Sequence, residues 1–282
     1  MNDHKSDGML SGMTYSGPKR PQPARWLLAL ALLIVIAGVA WGLKSGPLGL
    51  AHSVGYAVCH QITVRTYVFG DLAMPLCARC SGQYLGALAG FLMAWRWGKL
   101  RASQLPSRGI TLLLVFFLAI WAFDGVNSYF FLVARHPLLY TPHNILRLIT
   151  GMLQGIAISM LFLPFFNLVF WQAPDPAPVL EGAWDLGQLL ALGALLIVAV
   201  NSRWTPLLYP LALLSAFGAF LLLSLVGMLI VVMLLRAENT ASSPRDFLLF
   251  FIPGMAIATL IIVGVDAFRA WAEVHWGFSL PD

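Results

Sequence analysis

Apolar residues in this chain run in long blocks without the period-two alternation of a half-buried strand, and charged positions fall between the blocks. Positions 26–43 hold no charged residue over 18 places, 81–95 none over 15, and 204–235 none over 32. Positions 109–123 are equally clean until Asp124 interrupts a run that resumes to 134. The stretches 148–174, 186–202 and 247–265 complete the series. A helix needs about 20 apolar residues to cross a hydrocarbon core of about 30 Å. The pattern therefore predicts about seven membrane-spanning helices, near 26–43, 81–97, 110–134, 145–170, 185–201, 207–235 and 247–270. Only helices and closed barrels satisfy the backbone in lipid, and these unalternating blocks are not barrel strands. The expected class is an all-α polytopic bundle. The sixth span is long for an upright helix, so tilt or a kink at Pro210 is expected.

Composition agrees and excludes the alternatives. Charged residues are 10% of the chain and apolar ones 59%, against about 25% charged in a soluble domain. So few charges cannot clothe a water-facing globule of 282 residues, which rules out a soluble enzyme or a disordered chain. A sequence pI near 9.3 follows from the Lys and Arg bias of membrane topology and requires no nucleic-acid partner. Ten basic residues fall on one side when the N-terminus is cytoplasmic: Lys5, Lys19, Arg20, Arg25, Arg96, Lys99, Arg101, Arg108, Arg236 and Arg245. The other seven, including Arg65, Arg79, Arg147 and Arg269, fall opposite. That bias predicts an inner-membrane protein with a disordered cytoplasmic tail over 1–25, an uncleaved anchor over 26–47, and an extracytoplasmic loop between the first two spans. Trp26, Trp41, Trp95, Trp97, Trp171 and Trp204 stand at span ends as an interfacial belt would.

All three cysteines lie in that loop and at the mouth of the second span, as C-H-Q at Cys59, His60 and Gln61, then C-A-R-C at Cys77 to Cys80. Together with the following S-G-Q-Y-L-G, these strings resemble the signature of domain of unknown function 2085, a family of prokaryotic integral membrane proteins. The similarity extends over roughly 48–165, through D-G-V-N at Asp124 to Asn127 and N-I-L-R-L-I-T-G at Asn144 to Gly151. The resemblance implies a membrane domain over 48–170 and supplies no activity. Residues 171–282 read as a three-span extension.

Three thiols and an imidazole suit a metal, with Zn²⁺ the expected ion and Cys59, His60, Cys77 and Cys80 the candidate ligands. Adjacent residues seldom reach one tetrahedral ion together, so an outside histidine competes with His60. A Cys77–Cys80 disulfide attacked by Cys59 would instead make a thiol–disulfide or quinone-linked oxidoreductase, against which the odd cysteine count weighs. Ser81 follows Cys80, which excludes the Cys-x-x-Cys-His attachment of c-type haem. The plainest role is a staple holding a loop of an accessory membrane subunit. Metal binding is the preferred reading.

The second candidate site is polar. Asp124 is a lone carboxylate amid apolar neighbours, and intramembrane acids mark functional sites by default. With Asn127, Asn144 and Arg147 it forms the candidate catalytic or ion-handling cluster, Arg147 being the expected partner. Asp266 and Arg269, three apart on one helix, read as a local ion pair. Gly82, Gly86 and Gly90 on the second span, and Gly151 and Gly155 on the fourth, predict close packing of those two spans. A homodimer through such faces is the lesser use. The remaining partner expected is the lipid bilayer, with an unidentified small molecule or ion.

Overall fold

The computed structural model describes residues 22–134 and 136–277. The expected tail over 1–25 therefore lies almost wholly outside the described residues, as does Arg135. Eight α-helices are described: α1 (Arg25–Gly42), α2 (Gly46–Val58), α3 (Ala78–Arg96), α4 (Arg108–Ala134), α5 (Asn144–Phe170), α6 (Ala183–Asn201), α7 (Leu208–Leu234) and α8 (Pro244–Trp276). All but α2 correspond to the expected spans. The protein is an all-α, multi-pass membrane protein. Among the described residues, six segments are long and apolar enough to cross a membrane. The seventh, α3, is the least apolar of the long helices, yet its Ala78, Leu85, Ala87 and Ala94 are fully buried. Lipid need not solvate a helix that its neighbours enclose.

The α3–α5 contact explains the glycine spacing. A methyl group added at Gly82 would strike the Leu148 carbonyl, at Gly86 the Met152 carbonyl, at Gly151 the Arg79 carbonyl, and at Gly155 the Gln83 carbonyl. Backbone thus meets backbone along the pair, as small residues allow. These faces are filled within one chain. The same device joins Gly218 of α7 to Tyr84 of α3, and Gly227 of α7 to Gly254 of α8.

Three local expectations change. The first concerns the segment between spans one and two, which is structured rather than an open loop. Gly46, at φ +79°, turns the chain from α1 into α2. The apolar face of α2 (Ala51, Val54, Gly55) is buried, with Gly55 set against the Pro75 carbonyl. An antiparallel hairpin follows, β1 (Thr66–Phe69) and β2 (Leu72–Cys77), with Thr66 opposite Cys77 and Phe69 opposite Leu72. Tyr67, Phe69, Met74 and Leu76 are at most 2% exposed, so the hairpin plugs one end of the bundle. Second, Pro210 is the third residue of α7, where its missing N–H has no intrahelical partner to lose. It opens the helix instead of kinking it. Third, Trp171 is not a belt residue: it is buried, donates its indole N–H to Asn167 Oδ1 at 3.0 Å, and carries Arg101 over its ring at 4.2 Å.

That tryptophan belongs to the far end of the bundle, where a short parallel pair, β3 (Ala102–Gln104) and β4 (Asp175–Pro178), joins the α3–α4 and α5–α6 connections. Asn167 ties it to α5 by donating to the Leu100 and Ala102 carbonyls at 3.0 and 2.7 Å.

Candidate functional site

The hairpin delivers Cys77 to the N-cap of α3, and the next turn carries Cys80. Cap and third helical residue face the same way, which is the spacing that makes Cys-x-x-Cys a two-sulfur unit. Cys59 arrives from the end of α2. All three thiols are free, and their Sγ atoms lie within 4.8 Å of one another. Backbone N–H groups of Cys77 and Gln61 point at Cys59 Sγ from 3.3 and 3.5 Å. A tetrahedral ion with Zn–S bonds of about 2.3 Å holds sulfurs about 3.8 Å apart, so the trio fits a thiophilic metal after slight contraction. Thiol hydrogen bonds from Cys59 and then Cys80 hold Cys77 well below the ordinary thiol range, and Arg79 adds to the effect. The reciprocal bond to Cys77 is the main reason Cys59 is pushed up to about 11.

The C-H-Q string resolves into two jobs and one exposed residue. Cys59 joins the thiol trio. Gln61, in the left-handed region at φ +50°, donates its side-chain amide to the Pro75 and His52 carbonyls at 2.8 and 3.2 Å, pinning α2 to β2. His60 does not join the trio, contrary to its place among the expected ligands. Cys59 has extended backbone (φ −141°, ψ 148°), which sends consecutive side chains to opposite faces, and His60 is exposed. The other described histidines also lie outside the trio: His136 packs edge-on against Phe130 and His275 stacks on Trp271.

Beside the thiols lies the polar cluster. Asp124 of α4 is 1% exposed, and its partner is Arg79, not Arg147. Arg79 sits between the paired cysteines, held beside α5 by the Gly151 contact, and Nη2 and Nε both donate to Asp124 Oδ2, the latter at 3.0 Å. Nη2 also reaches the Asp124 carbonyl at 3.1 Å and Ser128 Oγ at 2.9 Å. Tyr140 donates to Oδ1 at 2.5 Å and Thr150 to Oδ2 at 3.3 Å. Burial first, then that carboxylate, push the Tyr140 hydroxyl up to about 12. Arg147 lies in the same cluster with neutral partners, donating to Asn144 Oδ1 at 2.8 Å and Ser128 Oγ at 3.5 Å. Asn144 in turn donates to the Val64 carbonyl at 3.1 Å. Asn127 bonds to the α4–α5 loop rather than to the Asp124 carboxylate. It donates to the Tyr140 carbonyl at 2.9 Å and accepts from the Leu139 N–H at 3.1 Å, so it fixes the loop that presents Tyr140.

Sequence reasoning passed over Arg79, Arg65, Ser128, Tyr140 and Thr150. A signal existed for two of them: Ser128 follows Asp124 by four and Thr150 follows Arg147 by three, which places each on its neighbour's helix face. The expected Asp266–Arg269 pair does not form. Arg269 donates instead to the Tyr56 and Cys59 carbonyls, the latter at 2.8 Å, and lies over the Tyr56 ring at 3.8 Å.

A family model described as predicted membrane proteins (DUF2085) matches residues 59–161. That stretch begins on Cys59 and includes every thiol and every member of the polar cluster. An uncharacterized protein of Methanothermobacter thermautotrophicus is 32% identical over 105 residues, 37% of this chain and 83% of that protein. The chain belongs to this family. An uncharacterized protein of Methanocaldococcus jannaschii is 28% identical over 120 residues, 42% of this chain and 70% of its own length. No solved structure gives a significant match. In this DUF2085 protein α6, α7 and α8 lie beyond the matched region, as does the carboxylate of Asp266.

Proposed function

We propose that this protein binds one thiophilic metal ion, zinc by the donor set, through Cys59, Cys77 and Cys80, and that the ion and the adjoining Asp124 cluster together handle a small molecule or ion at the membrane surface. The convergence of three sulfurs within 4.8 Å carries the reading. Three protein ligands leave one position of a tetrahedral ion for an outside ligand, the arrangement of reactive rather than closed zinc sites. Bound there, zinc would supply a Lewis acid. The chain's own residues pair Asp124 with Arg79 and aim Tyr140 and Thr150 at the same carboxylate. The Lys and Arg distribution supports a cytoplasmic N-terminus and an outward-facing thiol site in the inner membrane.

Elemental analysis of protein purified in uncharged detergent tests the reading. One equivalent of zinc per chain is expected, falling to background in Cys77→Ser and Cys80→Ser. Background metal in a folded wild-type protein, even after zinc is added back, would overturn it.

A second reading draws on the closeness of the free Cys77 and Cys80 thiols, with Cys77 depressed by its thiol neighbours. Low-pKa thiols are exchange nucleophiles. In that reading Cys77 and Cys80 form a disulfide, and their two electrons and two protons pass to a quinone, which leaves as quinol. Mass spectrometry after incubation with a soluble quinone analogue separates the two readings. Loss of two hydrogens from the 77–80 peptide favours exchange, and an unchanged trio rejects it.

A further inference from the structure

Three guanidinium groups converge where the chain supplies one carboxylate. Arg79 takes Asp124. Arg65 donates only to the Ser128 carbonyl, at 3.3 Å, and Arg147 only to neutral Ser128 and Asn144 oxygens. Among the described residues neither has an ion-pair partner. Arg147 is 6% exposed, and Arg65, half-buried, is held below the ordinary guanidinium range by burial first and then by Arg79. Buried charge without a counter-ion is strongly unfavourable, so a fold that assembles it needs something that neutralises it.

The assembly is built rather than accidental. Ser128 is the hub: its hydroxyl accepts from Arg79 and Arg147 while its carbonyl accepts from Arg65. Asn144 clamps the other side, accepting from Arg147 and donating to the carbonyl of Val64, the residue before Arg65. The two uncommitted arginines are thereby held near each other, with Arg65 and Asn144 half-buried at the rim and Arg147 behind them. With neutral thiols the cluster has two more positive charges than negative. Three thiolates around a divalent ion would add one net negative charge, leaving one positive charge still uncompensated.

We propose that Arg65 and Arg147, positioned by Ser128 and Asn144, bind a small oxyanion of the carboxylate, sulfate or phosphate class beside the thiol centre. This deepens the metal reading, on which it rests only for the identity of the neighbouring group. Guanidinium forks match the paired oxygens of such anions. Because the cluster lies where membrane helices end, the oxyanion has two sources, a free ion or the phosphate of a lipid headgroup.

The test is calorimetric titration of the full chain in uncharged detergent with inorganic phosphate, sulfate and acetate. A parallel arm uses short-chain phosphatidylglycerol, with phosphatidylcholine of equal chain length as the zwitterionic control. Saturable binding of at least one anion is expected, weakened about tenfold or more in Arg65→Gln and Arg147→Gln, since a lost charged hydrogen bond has about that effect. Binding by phosphate, sulfate or acetate identifies a free ion, and binding by phosphatidylglycerol alone identifies the headgroup. Arg65 is half-buried, so its variant decides the matter should Arg147→Gln fail to fold. No saturable binding in either arm, or affinity unchanged in Arg65→Gln, would overturn the proposal. Zinc measured on the same samples keeps the readings apart: metal without oxyanion binding sinks this inference alone, and oxyanion binding without metal sinks the metal reading alone.

Discussion

Asp124 and Asp266 are carboxylates set well inside apolar spans, and the molecule treats them oppositely. Asp124 receives hydrogen bonds from Arg79 of α3, Thr150 of α5 and Tyr140 of the α4–α5 loop. Asp266 lines an apolar crevice of about 640 Å³ between α1, α2, α7 and α8, and its buried Oδ1 has no hydrogen-bond partner among the described residues. Each had an arginine as its expected partner, and neither pairs with it. What separates them is the packing around them. Asp124 faces two helices whose backbones touch, so the Arg79 guanidinium arrives in a fixed position. Asp266 faces the loosely filled side, and Arg269, one turn on, leaves it for the carbonyls at the end of α2.

The contrast breaks most sharply at the ion pair. Asp124→Leu should destabilise the protein by about 3–5 kcal/mol, the cost of leaving a buried guanidinium unpaired. Arg79→Leu should cost a similar amount, because the carboxylate it strands is only 1% exposed and keeps just the Tyr140 and Thr150 bonds. The double variant should recover much of the loss, since apolar replacement of a buried pair is often close to neutral. Thermal unfolding in one detergent measures all three. A wild-type melting curve for Asp124→Leu would mean that the pair is not buried as described.

The packing half of the comparison is tested by glycine. Gly155→Val drives a side chain into the Gln83 carbonyl, and overpacking of this kind costs about 1–3 kcal/mol. On α8, a methyl group added at Gly264 would meet nothing within 4 Å, so Gly264→Ala should be neutral or stabilise by about 0.5–1 kcal/mol through helix propensity. Equal losses at the two sites would remove the distinction between tight and loose sides. Asn127→Ala should have a smaller effect than Gly155→Val, about 1–2 kcal/mol for two loop hydrogen bonds. It should also lower the Tyr140 pKa, as the phenol drifts from Asp124, which ultraviolet titration reads directly.

These contrasts also mark what could be read in the chain alone. Charge-free runs gave away the spans because lipid solvation is a sum over 20 or so residues, which no single packing detail can reverse. The four-residue glycine repeats revealed α3 against α5 for a similar reason: small residues at that period have few other uses in lipid. Partner choice was not legible. Arg79 and Arg147 were both within reach of Asp124, and only the register of α3 on α5 selects between them. Arg79 was also hidden inside a motif read for its cysteines. The 13 residues of α2 are too few to span and begin with Gly-Pro, so nothing distinguished them from loop until their small face met β2.

The smallest expected effect is at Asp266, and it is the most telling about the loose side. With no donor at Oδ1 among the described residues, the carboxylate contributes desolvation cost and no compensating bond. Asp266→Asn should then change stability by no more than about 0.5 kcal/mol, as for substitutions away from a partnered network. Asp266→Leu should be neutral or slightly stabilising, because it adds apolar surface to an apolar crevice. The same exchange at Asp124 removes bonds from three elements, so the two Asp→Leu melting temperatures should differ in size and need not share a sign. A loss at Asp266 as large as that at Asp124 would require a strong partner for its carboxylate, and the two sides of the bundle would then be built alike.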